Sequence, residues 1–195
     1  VITVDAEKLK EVERRLGQYP KKAPLAIMRA LNRTAANVKT NASKKVREEY
    51  AVKAKDVNST FSIRRASKSS LSAMVESKAG ALGLDKFKVS PMTPRHAKPP
   101  KALKVQVKKT GGAKRLVGAF VASVNGNKVF KRQPGAKGRK GKNGTWTALP
   151  IERLFGPPVP EMLENQSVRA YVEQEAAKTF ETRLDHEIKR IMEGN

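Results

Sequence analysis

The sequence predicts an α+β protein, an antiparallel β-sheet packed with a long N-terminal helix and a long C-terminal helix. Three observations point there. Apolar residues recur every three and four positions over residues 24–50, and again over 162–192. Between these stretches the period falls to two. Gly, Pro and Asn-Gly punctuate the alternating stretches as turns do between paired strands. Helix, sheet, helix in that order is the α+β pattern.

Taken in order, Val4 to Leu16 reads as a short charged helix with Leu9, Val12 and Leu16 on one side, stopped by Gly17 and Pro20. Pro24 suits the first turn of the next helix, where its missing N–H costs nothing. Ile27, Met28, Leu31, Ala35, Val38, Ala42, Val46 and Tyr50 then draw one apolar stripe. Arg33, Lys39, Lys44 and Arg47 occupy the opposite face. Asp56 is expected to cap a short turn. Phe61, Ile63 and Arg65 alternate with polar residues, as do Leu71, Ala73, Val75 and Ser77, giving two strands joined by a turn at Ser67–Ser70. Phe87 and Val89 suggest a further short strand. Pro91 to Lys101 reads as an irregular connection.

Strands resume at Leu103, Val105 and Val107, with a turn at Gly111-Gly112. Leu116 to Val124 is expected to be one strand carrying a bulge at Gly118. Asn125-Gly126 is a hairpin signal, and Asn127 to Arg132 the returning strand. Trp146 to Ile151 forms another. Residues 103–151 thus read as one antiparallel meander. Phe155-Gly156-Pro157-Pro158 and Pro160 make a rigid extended corner, and the last helix runs from about Met162 to Met192. Its stripe is Val168, Val172, Ala176, Phe180, Leu184, Ile188 and Ile191, with Asp and Glu on the outer face. The chain is expected to be a single domain over 1–195: a helical arm at 1–50, a basic β-rich region at 51–155 and the C-terminal helix at 160–195.

Composition sharpens this. The 195 residues are 38% apolar and only 5% aromatic, so the core must be aliphatic. Cysteine is absent, which excludes disulfides, thiolate chemistry and Cys-based zinc sites and fits a cytoplasmic origin. No apolar run approaches the ~20 residues that span a bilayer. The net charge is +23, and it is uneven. Residues 1–50 hold 12 basic and 6 acidic side chains, 51–150 hold 23 and 3, and 151–195 hold 6 and 9. A segment so positive repels itself unless a polyanion or an acidic partner compensates.

Catalytic patterns fail one by one. The stretch 131–146, KRQPGAKGRKGKNGTW, holds six Lys or Arg and four Gly. It is not a P-loop: Gly135 precedes Gly141-Lys142 by one residue too many, and Asn143 stands where the hydroxyl belongs. His186-Glu187 begins a zinc-protease motif, but the second His would fall at Arg190. No Gly-x-Ser-x-Gly turn is present. The basic middle has only Asp56, Glu76 and Asp85 from which to build a carboxylate pair. The expectation is a protein that is not an enzyme and needs no cofactor or metal.

Electrostatic contact is the reading that remains. Lys131, Arg132, Lys137, Arg139, Lys140 and Lys142 are the first candidates for binding DNA or an acidic partner. Lys108, Lys109, Lys114 and Arg115 are the second, and Phe155, Gly156, Pro157, Pro158 and Pro160 a candidate docking corner. Few aromatic platforms lie near, so contact with nucleic acid should be blind to sequence and weakened by salt. The acidic last helix offers the basic region a partner surface on another copy of the chain.

Four stretches, ALNRTAANVKTNASKKVREEY, KDVNSTFSIRRAS, LVGAFVASVNGNKVFKR and LPIERLFGPPVPEML before a long final helix, carry a resemblance. In that order and spacing, from about residue 24 to 192, the chain resembles the minor tail protein Z family of lambda-like phages and prophages. The resemblance implies a structural tail-completion protein at the head-proximal end of the tail, made in the bacterial host cytoplasm and located in the virion. It implies a ring in the assembled tail, formed from chains that are monomeric in isolation. Neighbouring tail and head-tail connector proteins are the implied partners, with non-specific DNA contact as the tail joins the head. It carries no catalytic residues and no cofactor. A sequence-independent nucleic-acid-binding module is the alternative reading of the same charge.

Overall fold

The structure, a computed structural model, describes residues 2–94, 100–133 and 150–194. The elements are β1 (Ile2–Thr3), α1 (Ala6–Arg15), α2 (Ala23–Glu49), α3 (Ala54–Asn58), β2 (Phe61–Arg64), β3 (Ser72–Ser77), β4 (Leu82–Gly83), β5 (Lys88–Ser90), β6 (Ala102–Gln106), β7 (Lys114–Val117), β8 (Ala119–Ser123), β9 (Asn127–Arg132), β10 (Ile151–Arg153), β11 (Phe155–Gly156), α4 (Val159–Glu164) and α5 (Gln166–Met192). The architecture is α+β, with the two long helices packed together and several small antiparallel sheets. The described residues gather into two compact units. The first comprises 1–46, 57–78 and 160–195, the second 47–56 and 79–159.

In the first unit, Val12 of α1 and Leu16 at its C-cap meet Ala23, Ala26, Ile27, Ala30, Leu31 and Ala35 of α2 and Phe180, Leu184, Ile188 and Ile191 of α5. Alanine dominates the α2 side, and small side chains let the helix backbones approach closely. The stripe read from the sequence is there, but Ala26, Ala30 and Thr34 are also fully buried, so the covered face is wider than predicted. The helices lie against a three-stranded sheet in the order β1-β3-β2, which adds Ala73 with Ile63, Leu71 and Val75. The Ser67–Ser70 turn closes the β2–β3 hairpin by reciprocal backbone bonds, as expected. Asn32 of α2 clamps the hairpin's end. Its amide donates to the Ala66 carbonyl at 3.1 Å and accepts from the Ala66 N–H at 2.8 Å.

One expectation is corrected here. The last helix is not continuous from Met162. It stops at Glu164 and restarts at Gln166, because Asn165 turns its side chain to accept from the Ser167 N–H, the N-cap of a new helix. Asp56 lies within the first turn of α3, and its carboxylate is 3.1 Å from Lys86 Nζ.

The second unit is built of short strands. Asn125 (φ 50°) and Gly126 (φ 93°) form the two-residue turn expected of Asn-Gly, joining β8 to β9. The single meander is corrected. Residues 114–123 are two strands, parted at Gly118 (φ +74°), and they serve different sheets. β7 pairs with β6 in the sheet β5-β6-β7, and β8 with β9 in the sheet β8-β9-β10. A left-handed φ is nearly free for Gly and strained for other residues, so Gly118 is where the chain can turn from one sheet into the other. The expected strand from Trp146 begins, within the described residues, at Ile151. The extended corner is also more regular than expected: Phe155–Gly156 is a strand paired with Leu82–Gly83, and Val159–Pro160 opens α4.

Candidate functional site

The second unit holds most of the unbalanced charge. By sequence it contains 21 basic and 5 acidic side chains, net +16, against 20 and 13, net +7, in the first. Of its fifteen described cations, only Lys86 and Arg153 make ion pairs with a described acid, Asp56 and Asp85 respectively. The first unit differs. Four of the five acids of α5 are paired: Glu173 with Arg169, Glu181 with Lys8, Asp185 with Arg15 and Glu187 with Arg29. Three of these tie α5 to α1 and α2. The acidic face read from the sequence is thus largely engaged within its own unit, which weakens it as a docking face for a second copy.

One groove joins two sets of sequence candidates. Lys108 and Lys114 stand on the rim of a cavity of about 570 Å³, walled by Val105, Val107, Leu116 and Leu84 and closed by Phe155, Gly156 and Pro157. Backbone bonds hold the rim: Ala51 N–H donates to Val107 and Lys109 N–H to Glu49, both at 2.8 Å, bracketing an isolated bridge between Tyr50 and Lys108. The Lys108 ammonium lies 5.9 Å from the centre of the Tyr50 ring. On the other wall Phe155 is 52% exposed, unusual for so large an apolar side chain. Its ring is met by the Arg153 guanidinium at 5.1 Å, which Asp85 anchors at 2.8 Å. Gly156 has no space for a side chain, since a Cβ there would stand 2.7 Å from the Phe87 ring. Among the described residues no acid lines the groove.

The other candidates fall elsewhere. Lys109 is exposed beside the rim, and Arg115 lies on the opposite face of its sheet from Lys114. Lys131 and Arg132 are consecutive on β9 and so face opposite sides, Lys131 across from Glu152, Arg132 across from Ile151 and stacked 5.5 Å from the centre of Phe120. Pro158 is half-buried and Pro160 belongs to α4. Neither lines the groove. Lys137, Arg139, Lys140 and Lys142 lie outside the described residues. Two cations were missed in the sequence. Lys88 and Lys104 share the outer face of the β5-β6-β7 sheet with Arg115, and each is a single Lys beside an apolar neighbour, so a scan for charge runs passes over them.

Among the described residues no group of three or more His, Asp or Glu could hold a metal ion, and no helix is long and apolar enough to cross a membrane. A search of protein-family models decides the lineage: the model for prophage minor tail protein Z matches residues 8–193. The chain belongs to that family. It is a phage or prophage minor tail protein, structural and not an enzyme, and as a tail component it meets other tail proteins. No match is found among curated proteins or solved structures. For a minor tail protein Z, charged and apolar surface suits assembly, which needs contacts rather than chemistry.

Proposed function

We propose that this minor tail protein completes the tail at its head-proximal end as a ring of copies, helping the tail join the head and guiding DNA by contacts blind to base sequence. The observation that supports it is the surplus of +16 on the second unit, with thirteen described cations that form no ion pair with a described acid. Such a surface is suited to a polyanion or an acidic neighbour. A ring requires unlike patches that meet head to tail and close. The groove beside Phe155 supplies one such patch. Its chemistry fits a bulky apolar side chain on an acidic segment of a neighbouring tail or connector protein, the acids meeting Lys108 and Lys114.

Imaging of assembled tails carrying a label on this chain tests the placement. The label should appear as a ring at the head-proximal end, and a label along the shaft or at the distal tip would reject tail completion. For the groove, Phe155→Ala should lower incorporation into tails while leaving the isolated chain folded. Lys137, Arg139, Lys140 and Lys142 changed together to Glu test that basic stretch, and unchanged infectivity would remove it as a contact.

A further inference from the structure

We infer that the outer face of the β5-β6-β7 sheet, carrying Lys88, Lys104 and Arg115, is a binding face for the phosphate backbone of duplex DNA. The inference deepens the proposed DNA contact and rests on it. In the register of this sheet, Lys104 lies directly across from Arg115 and also across from Ser90, while Lys88 faces Gln106. Directly opposed residues share a face, and so do residues two apart on one strand. Lys88, Ser90, Lys104, Gln106, Ala102, Arg115 and Val117 therefore make up one side of the sheet. Val89, Leu103, Val105, Leu116 and the exposed Lys114 make up the other, and its apolar residues are covered: Leu103 is fully buried and Val105 nearly so. Lys88, Lys104 and Arg115 are all exposed.

Two features separate this face from an ordinary solvated surface. It holds no acidic residue, and none of its three cations makes an ion pair among the described residues. It also places two like charges directly opposite each other, Lys104 and Arg115, an arrangement that weakens a sheet in isolation. Opposed side chains stand about 5 Å apart at Cβ and diagonal ones about 7–8 Å, so the three cations span a distance over which successive phosphates can be met. The sheet is a rigid support on which none of the three positions depends on a loop. Base edges are not read by such a face, because it is nearly flat and offers only Gln106 and Ser90 as neutral polar groups. An acidic protein surface is the rival occupant. It is disfavoured because, among the described residues, Val117, at 72% exposed, is the only exposed large apolar side chain of this face.

The test measures binding of the full chain to a fluorescein-labelled 30-base-pair duplex of mixed sequence over a range of NaCl, with a melting curve for each variant. The triple variant K88Q/K104Q/R115Q should bind more weakly, and its log–log salt slope should be smaller by about 2–3, close to 0.9 for each lost phosphate contact. Relief of the like-charge pair should raise its Tm by about 1–3 °C, which separates lost contact from lost fold. A triple variant with unchanged affinity and slope overturns the inference, as does one that melts below the wild type. A variant with Gln at 137, 139, 140 and 142 runs alongside. If it alone abolishes binding, this face is wrong while DNA contact stands. If the wild type does not bind the duplex, or binds polyglutamate in preference to it, DNA contact itself falls.

Discussion

The two units of this chain handle charge in opposite ways. In the first, helices α1, α2 and α5 enclose an aliphatic core and knit their surfaces together with ion pairs between elements distant in sequence, Lys8 with Glu181, Arg15 with Asp185 and Arg29 with Glu187. In the second, strands of two to six residues carry a large cationic surplus, and of its described cations only Lys86 and Arg153 form an ion pair with a described acid. Self-repulsion of that kind lowers stability. The difference teaches that the first unit is organised for its own folding, while the second keeps a surface that is complete only against something else.

The contrast can be broken by attacking each core. Leu31 and Leu103 are both fully buried, one in each unit. Either change to Ala should cost about 2–5 kcal/mol. Hydrogen exchange followed by mass spectrometry should show the larger loss of protection in the unit that carries the change. Equal losses in both units would merge the two into one cooperative block. Next in size is Asn32→Ala, which strands the N–H and carbonyl of Ala66 and should cost about 1–3 kcal/mol in the first unit, read by chemical denaturation.

Salt sharpens the contrast. Raising NaCl from 50 to 500 mM screens repulsion in the second unit and attraction in the first. Exchange protection should therefore rise in the second unit by roughly 1 kcal/mol and fall by a few tenths in the first. A shift of the same sign in both would remove the charge distinction. The smallest effect concerns Lys8. Burial opposes its charge, but the carboxylates of Glu11 and Glu181 outweigh this and hold its pKa above the ordinary 10.5. A raised pKa stabilises the fold below the unfolded value, and the benefit fades as pH climbs through the folded one. Lys8→Met should therefore lose less stability than the wild type between neutral pH and pH 11, by under about 1 kcal/mol in thermal melts.

Much of this contrast is written in local sequence. The α2 stripe, the Ser67–Ser70 turn, the Asn125-Gly126 hairpin and the bounds of β9 follow from periodicity and turn chemistry, which act over a few residues. Sheet membership does not. Nothing local distinguishes a bulge at Gly118 from a transfer between sheets, because pairing partners settle that. The break at Asn165 rests on Asn-x-Ser, an N-cap signal that a helix read straight through from about Met162 passes over. The groove escaped sequence reasoning as a unit, since it draws on residues 84, 105–116 and 155–157, although its two sides were each suspected. Asn32 shows the reverse case. It stood out in the sequence within Leu31-Asn32-Arg33, and only the structure gives it a task, the clamp on Ala66.

The contact of Gly156 with the Phe87 ring reaches beyond local packing. With Gly156 packed against the Phe87 side chain and Arg153 held by Asp85 against the Phe155 ring, Phe155 is exposed beside neighbours that are themselves held. In the docking proposed above, a partner would find less freedom left to remove from this side of the encounter. Preorganisation of this sort chiefly slows departure, so a modest area of contact can hold two assembly partners together for long enough to be locked by the next.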